Sequence, residues 1–155
     1  MKILVCTDGS EHGIKAVEKA ALIAGGNNDN QVTVLHVDEG NLDLTSYSSS
    51  GKERTRTVSV MTSENIRKMQ EEDKAQREKI LQEALEYLKN KNIKAHKILK
   101  EGYPSLTIVK VADEEGFDMI VIGSRGLSGL KQVFLGSTSN AVLQEAKDCI
   151  VSVVK

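Results

Sequence analysis

The sequence predicts an α/β domain whose parallel sheet is covered by helices on both faces. Three observations carry that reading. Short apolar runs rich in β-branched residues recur at 2–7, 31–37, 119–122 and 148–154, with a more polar run at 94–100. The intervals between them hold glycine or proline boundaries and apolar residues at helical spacing, so strand and helix alternate along the chain. The run Met119 to Ile122 is apolar throughout, with Asp118 in front and Gly123 behind, as expected of a strand buried on both faces.

Taken in order, Lys2 to Thr7 is the first strand, and Asp8-Gly9-Ser10 turns into a helix. Ile14, Val17, Ala21 and Ala24 give that helix an apolar stripe, and Gly25-Gly26-Asn27 ends it. Gln31 to Val37 is the second strand, which completes a βαβ unit of the usual right-handed kind. Residues 39–62 are polar and Ser-rich without a sustained period, and read as a mobile insertion in which Arg54 and Arg56 are solvated loop charges. Ser63 can cap a long helix reaching about Asn90. Ile80, Leu81, Ala84, Leu85 and Leu88 form its inner face, while its polar first half reads as a solvated surface. The lysine-bearing run Lys94 to Lys100 suits a sheet edge. Pro104 opens the next helix, Leu106, Val109 and Ala112 form its inner stripe, and Gly116 closes it. The fourth strand and the last helix follow, and Asp148 to Val154 is the fifth strand.

The composition excludes several classes. At 155 residues the chain is most simply one domain, 1–155, large enough to bury a core without metals or disulfides. Its net charge of −1 gives no whole-chain attraction to nucleic acid or anionic membrane. Without Trp it offers few base-stacking platforms. No apolar run approaches the roughly 20 residues of a membrane span, and the N-terminus reads as a strand. Cys6 and Cys149 each stand alone in apolar runs. They read as buried thiols of a reducing, cytoplasmic compartment, with a disulfide or metal pair as the alternative.

The chemistry concentrates between the fourth strand and the last helix. Gly123, Gly126, Gly129 and Gly136 are interleaved with Ser124, Arg125, Ser128, Ser137, Thr138 and Ser139. Glycines let backbone N–H groups turn toward a ligand. A helix starting at Ser137 adds unpaired N–H groups and the positive end of its dipole, which together suit a phosphate. The pattern is neither the P-loop, which needs Gly-Lys-Ser/Thr, nor the dinucleotide fingerprint, which follows the first strand. Local composition leaves a phosphate seat and an ordinary turn both open. In such sheets ligands sit beyond the carboxyl ends of strands where the winding reverses. If the first strand is central with the fourth beside it, Asp8 shares that crevice. Asp8 then bonds a sugar or base, or simply caps the following helix.

The spacing Gly123-x2-Gly126-x9-Gly136-Ser137 matches the G-2x-G-9x-G-S/T motif of the ATP-binding branch of the universal stress protein family. VCTDGS at the first strand end, LHV at 35–37, GYP at 102–104 and DMIVIGSRG extend the resemblance over almost the whole chain. The resemblance implies a three-layer α/β/α, Rossmann-like fold akin to the adenine nucleotide alpha hydrolases. Its sheet has five parallel strands in the order 3-2-1-4-5, and a homodimer forms through the C-terminal strand, 149–154. It also implies ATP as ligand. Gly123 and Gly126 let the loop approach ribose and phosphates. Leu127, Ser128 and Gly129 offer N–H groups, and Gly136 lets the backbone pass near the phosphates. Ser137, Thr138 and Ser139 bind phosphate oxygens through hydroxyls and amides. Cys6 and Asp8 contact the adenosine end, Val37 meets adenine through its main chain, and Arg125 adds charge. Magnesium or manganese is implied only through the phosphates and water.

The expected function is a regulatory ATP-binding dimer of the stress response that passes nucleotide occupancy to a protein partner. A slow ATPase and a dimeric scaffold without nucleotide are the alternatives. Hydrolysis needs a positioned water and a base, whereas the glycine loop supplies only amides and hydroxyls. His36, near the second strand's end, reads as a packing residue because no second catalytic group accompanies it.

Overall fold

The computed structural model describes residues 1–27, 29–39, 63–127 and 135–155. Among them strand and helix alternate as β1 (Lys2–Cys6), α1 (Glu11–Ala24), β2 (Gln31–Asp38), α2 (Ser63–Asn90), β3 (Ala95–Glu101), α3 (Pro104–Glu115), β4 (Met119–Gly123), α4 (Ser137–Glu145) and β5 (Ile150–Val154). The Ser-rich insertion, from residue 40 to 62, lies outside the described residues, and so do Arg54 and Arg56.

The five strands form one parallel sheet in the order β3-β2-β1-β4-β5. The strand order reverses its winding between β1 and β4, so the crevice beyond their carboxyl ends is where a ligand is expected. The alternation of strand side chains divides the core in two. Ile3, Val5, Val32, Val34 and Val121 meet α1 and α2 on one face. Leu4, Cys6, Leu35, Ile120 and Ile122 meet α3 on the other, with Val142 of α4. Each fully buried Ile, Leu or Val contributes about 1.5–3 kcal/mol, and β1 and β4 are buried along almost their whole lengths. No helix among the described residues is long and apolar enough to cross a membrane.

Two helix faces depart from expectation. The inner face of α1 is Gly13, Ala16, Val17, Ala20, Ala21 and Ala24, whereas Ile14 is 51% exposed. The buried set follows the i, i+3, i+4, i+7 rhythm from Gly13, and Ile14 lies about 100° around from it. In α3 the buried residues are Ile108, Val111 and Ala112, and Leu106, two positions before Ile108, points away and is 57% exposed. α2 follows expectation more closely: Leu81, Ala84 and Leu88 are buried, with Leu85 packed against them.

The sheet edges differ. β3 is an edge strand whose Lys97 is ion-paired with Glu78 of α2. That pairing holds the Glu78 carboxyl below its usual range. β5, the other edge, starts later than expected. Asp148 stands at φ 52, a left-handed conformation that Asp tolerates better than most residues, and the strand begins only at Ile150. Cys149, expected to be buried, is partly exposed at that bend.

Candidate functional site

A cleft of about 670 Å³ opens at the carboxyl ends of β1, β2 and β4, within the range that holds small ligands. Its floor includes Cys6, Asp8, Val37 and Gly123, and one side is formed by Gly136, Ser137, Thr138 and Ser139 at the start of α4. Arg125, Gly126 and Leu127 also line it. The structure therefore gathers eleven of the thirteen candidate residues around one crevice; Ser128 and Gly129 lie outside the described residues.

The start of α4 is held by a compact set of bonds. Ser124 N–H donates to Val154 C=O at 2.6 Å, and Ser124 C=O accepts from Gly136 N–H at 2.8 Å. The Ser139 hydroxyl, 2% exposed, lies 3.2 Å from Ser124 C=O and 3.1 Å from Gly136 C=O. These bonds anchor the helix to the end of β4. Ser139 therefore turns its hydroxyl inward to two carbonyls, not outward to a ligand as expected. The first backbone bond within the helix is Asn140 N–H to Gly136 C=O at 2.9 Å. Gly136, the N-cap, supplies no side-chain acceptor, so among the described residues the N–H groups of Ser137, Thr138 and Ser139 lack the capping that Ser10 gives α1. Uncapped N–H groups at the positive end of a helix dipole favour an anion.

Asp8 does not cap α1. The cap of α1 is Ser10, whose Oγ accepts from Gly13 N–H at 3.1 Å. Asp8 Oδ1 instead accepts from Ser10 N–H at 3.0 Å, and Oδ2 accepts from Leu127 N–H at 3.2 Å. One carboxylate thus ties the turn after β1 to the loop after β4. Leu127 N–H, expected to be offered to phosphate, is given to Asp8.

The glycines of the motif serve different needs. A Cβ at Gly123 would lie 2.7 Å from the backbone C and O of His12, so this glycine lets α1 pass directly over the end of β4. A Cβ at Gly126 would lie 2.6 Å from Asp8 Oδ2, so this one makes room for the carboxylate clasp.

Sequence reasoning missed two walls of the cleft. Pro104 and Ile108 contribute from α3, and Asp73, Gln76, Arg77 and Ile80 contribute from α2. Arg77 bonds Asp38 at 3.0 Å and lies 3.9 Å from Asp73. A signal for it exists: Arg77 precedes Leu81, Ala84 and Leu88 at i+4, i+7 and i+11, on the same helical stripe. His36, 8% exposed, donates from Nδ1 to Thr7 C=O at 2.8 Å. A carbonyl only accepts, so the proton sits on Nδ1.

Burial pushes the Cys6 thiol up. Burial, with Asp113 and Asp148 beside it, does the same for Cys149. Both therefore remain protonated near neutral pH, and the thiolate is the reactive form. With a disulfide reagent at pH 7.5, Cys149 is expected to react more slowly than a free thiol and Cys6 only on unfolding. Rapid labelling of both in the native protein would contradict this.

Comparison with known proteins agrees with the geometry. Universal stress protein YxiE of Bacillus subtilis is 34% identical over 160 residues, covering 99% of this chain and 98% of its own. The solved structure of MJ0577, a universal stress protein of Methanocaldococcus jannaschii, superposes with a TM-score of 0.71 at 30% identity, covering 99% of this chain and 94% of that one. UspA from Lactobacillus plantarum shares the fold, with a TM-score of 0.76 at 22% identity over 100% of this chain and 97% of that one. Among more distant structures of the same fold, one universal stress protein is in complex with cAMP, one from Arabidopsis thaliana has AMP bound, and one from Archaeoglobus fulgidus is in complex with dAMP. The family model of the universal stress proteins matches residues 1–155, and the chain belongs to the universal stress protein family.

Proposed function

We propose that the cleft binds ATP and that the protein is a regulatory nucleotide-binding dimer of the stress response, with slow hydrolysis or none. The observation that carries this reading is the uncapped start of α4, where three N–H groups border the cleft. In this arrangement the triphosphate lies against Ser137, Thr138 and Ser139, with Gly136 beside it and Arg125 adding positive charge. Each charge-assisted hydrogen bond there contributes about 1.5–3 kcal/mol. Adenosine lies over the ends of β1 and β2, against Cys6, Asp8 and the main chain of Val37. The adenine nucleotides bound by distant relatives support the same ligand class.

The donor set suits a divalent ion held through phosphate and water. Asp8 already accepts two N–H groups, and Asp38 is paired with Arg77. A magnesium or manganese ion would therefore take most of its ligands from the nucleotide and solvent. The same engagement argues for slow turnover, because His36 Nδ1 is committed to Thr7 and the carboxylates of Asp8 and Asp38 are committed to Ser10, Leu127 and Arg77. We assign the dimer contact to β5, an edge strand whose Ile150 is 57% exposed, since pairing removes an open apolar edge.

Mass spectrometry of the ligand released from freshly purified, denatured protein tests the reading. Co-purified ATP is the expected result. An empty protein with no measurable affinity for ATP would contradict it and favour a scaffold.

A further inference from the structure

We propose that His36 is a positioning residue that holds open the last rung of the β1–β2 ladder, so that the backbone N–H and C=O of Val37 remain free to read the edge of a base. The inference rests on the reading of the cleft as an adenine nucleotide site in which the Val37 main chain meets the base, and it adds the residue that keeps that main chain available.

The argument starts from ladder parity. In a parallel strand, alternate residues turn both N–H and C=O toward the same neighbour. Gln31 N–H bonds Met1 C=O and Thr7 N–H bonds Leu35 C=O, so odd-numbered residues of β2 face β1. Gly102 N–H bonds Asp38 C=O, so even-numbered residues face β3. Val37 therefore directs its main-chain pair to the β1 side, beyond the last paired residues, Cys6 and Leu35. The next rung would run from Val37 N–H to Thr7 C=O, and it is not formed among the described residues. That carbonyl accepts from His36 Nδ1 at 2.8 Å. The buried imidazole thus caps the end of β1 with a side chain and ends the ladder one rung early. Val37 lines the cleft at this point.

A donor and an acceptor left side by side match one kind of base edge. Adenine offers N1 to the N–H and its 6-amino group to the C=O. Guanine presents the opposite polarity at these two positions, with a donor at N1 and an acceptor at O6. A site built on such a pair rejects ligands that leave its polar groups unmatched.

The test uses the full chain as wild type, His36→Phe and His36→Asn, with three probes: ATP, purine riboside triphosphate, which lacks the 6-amino group, and inorganic triphosphate. Asn places an amide donor where Nδ1 stands, whereas Phe fills the space without one. Wild type is expected to prefer ATP over the purine analogue by about 5–10-fold, the worth of one hydrogen bond. His36→Phe is expected to reduce that ratio to near unity, and His36→Asn to retain it, while all three proteins bind inorganic triphosphate equally. Amide exchange provides a readout without ligand: Val37 N–H exchanges freely in wild type and becomes protected in His36→Phe as the rung forms. An unchanged ATP preference in His36→Phe would overturn the proposal, and so would a Val37 amide as protected in wild type as that of Leu35. Failure of wild type to bind either nucleotide would overturn the adenine reading, and the exchange comparison would still decide whether His36 holds the rung open.

Discussion

Gly126→Val is expected to weaken ATP binding by at least about 100-fold, an effect the size of two charge-assisted hydrogen bonds. Its Cβ would stand 2.6 Å from Asp8 Oδ2. That atom ends a flexible side chain, so the backbone need not move and the fold survives. The displaced carboxylate, however, gives up Leu127 N–H, and the loop after β4 loses its tie to β1. The isopropyl group then occupies the space between Asp8 and the phosphates. Calorimetric titration with ATP measures the first effect, and a thermal midpoint within about 3 °C of wild type checks the second. Undiminished affinity would show that this loop does not border the bound phosphates.

Gly123→Ala is expected to act on stability instead, costing about 3 kcal/mol, toward the upper end of what overpacking a tight contact costs. Here the added Cβ meets the carbonyl group of His12 at 2.7 Å and His12 Cβ at 2.9 Å. A helix backbone cannot swing aside as a side chain does, so α1 must lift from β4. The opening of α1 has little slack, because a Cβ at Gly13 would itself lie 2.8 Å from Asp8 Oδ1 and Thr7 Oγ1. In a chain of 155 residues such a loss lowers the midpoint by about 6–12 °C. A variant that melts with wild type would refute the close approach of α1.

These two variants show where residue identity stops being informative. The motif presents Gly123 and Gly126 as equivalent, yet one accommodates a helix and the other a carboxylate. Spacing does not reveal what stands opposite a glycine. The strands were legible because a buried parallel strand must be apolar on both faces, as β1 and β4 are. Ile14 and Leu106 misled because apolar character marks a candidate for burial, whereas the helix that packs tightly does so through Gly13 and alanines.

The site was legible in position and less so in wiring. Asp8 and Ser137 are brought together by a sheet order that the family resemblance implied and the alternation of elements alone left open. The family resemblance gives Ser139 to the phosphates through its hydroxyl as well as its amide. Its hydroxyl instead meets Gly136 C=O, three positions back, and Ser124 C=O, 15 positions away and brought to it only by the fold. Arg77 was hidden within a charged helix half that reads as solvated, although its place on the stripe of Leu81 and Leu88 foretold an inward position.

The central claim is that the bare amides opening α4 receive the triphosphate. Titration of ATP into 15N-labelled protein, followed by amide chemical shifts, tests it most directly. The largest saturating shifts are expected at Ser137, Thr138 and Ser139, with inorganic triphosphate reproducing them and leaving Val37 in place. Shifts that saturate elsewhere while these three amides stay unmoved would contradict the account.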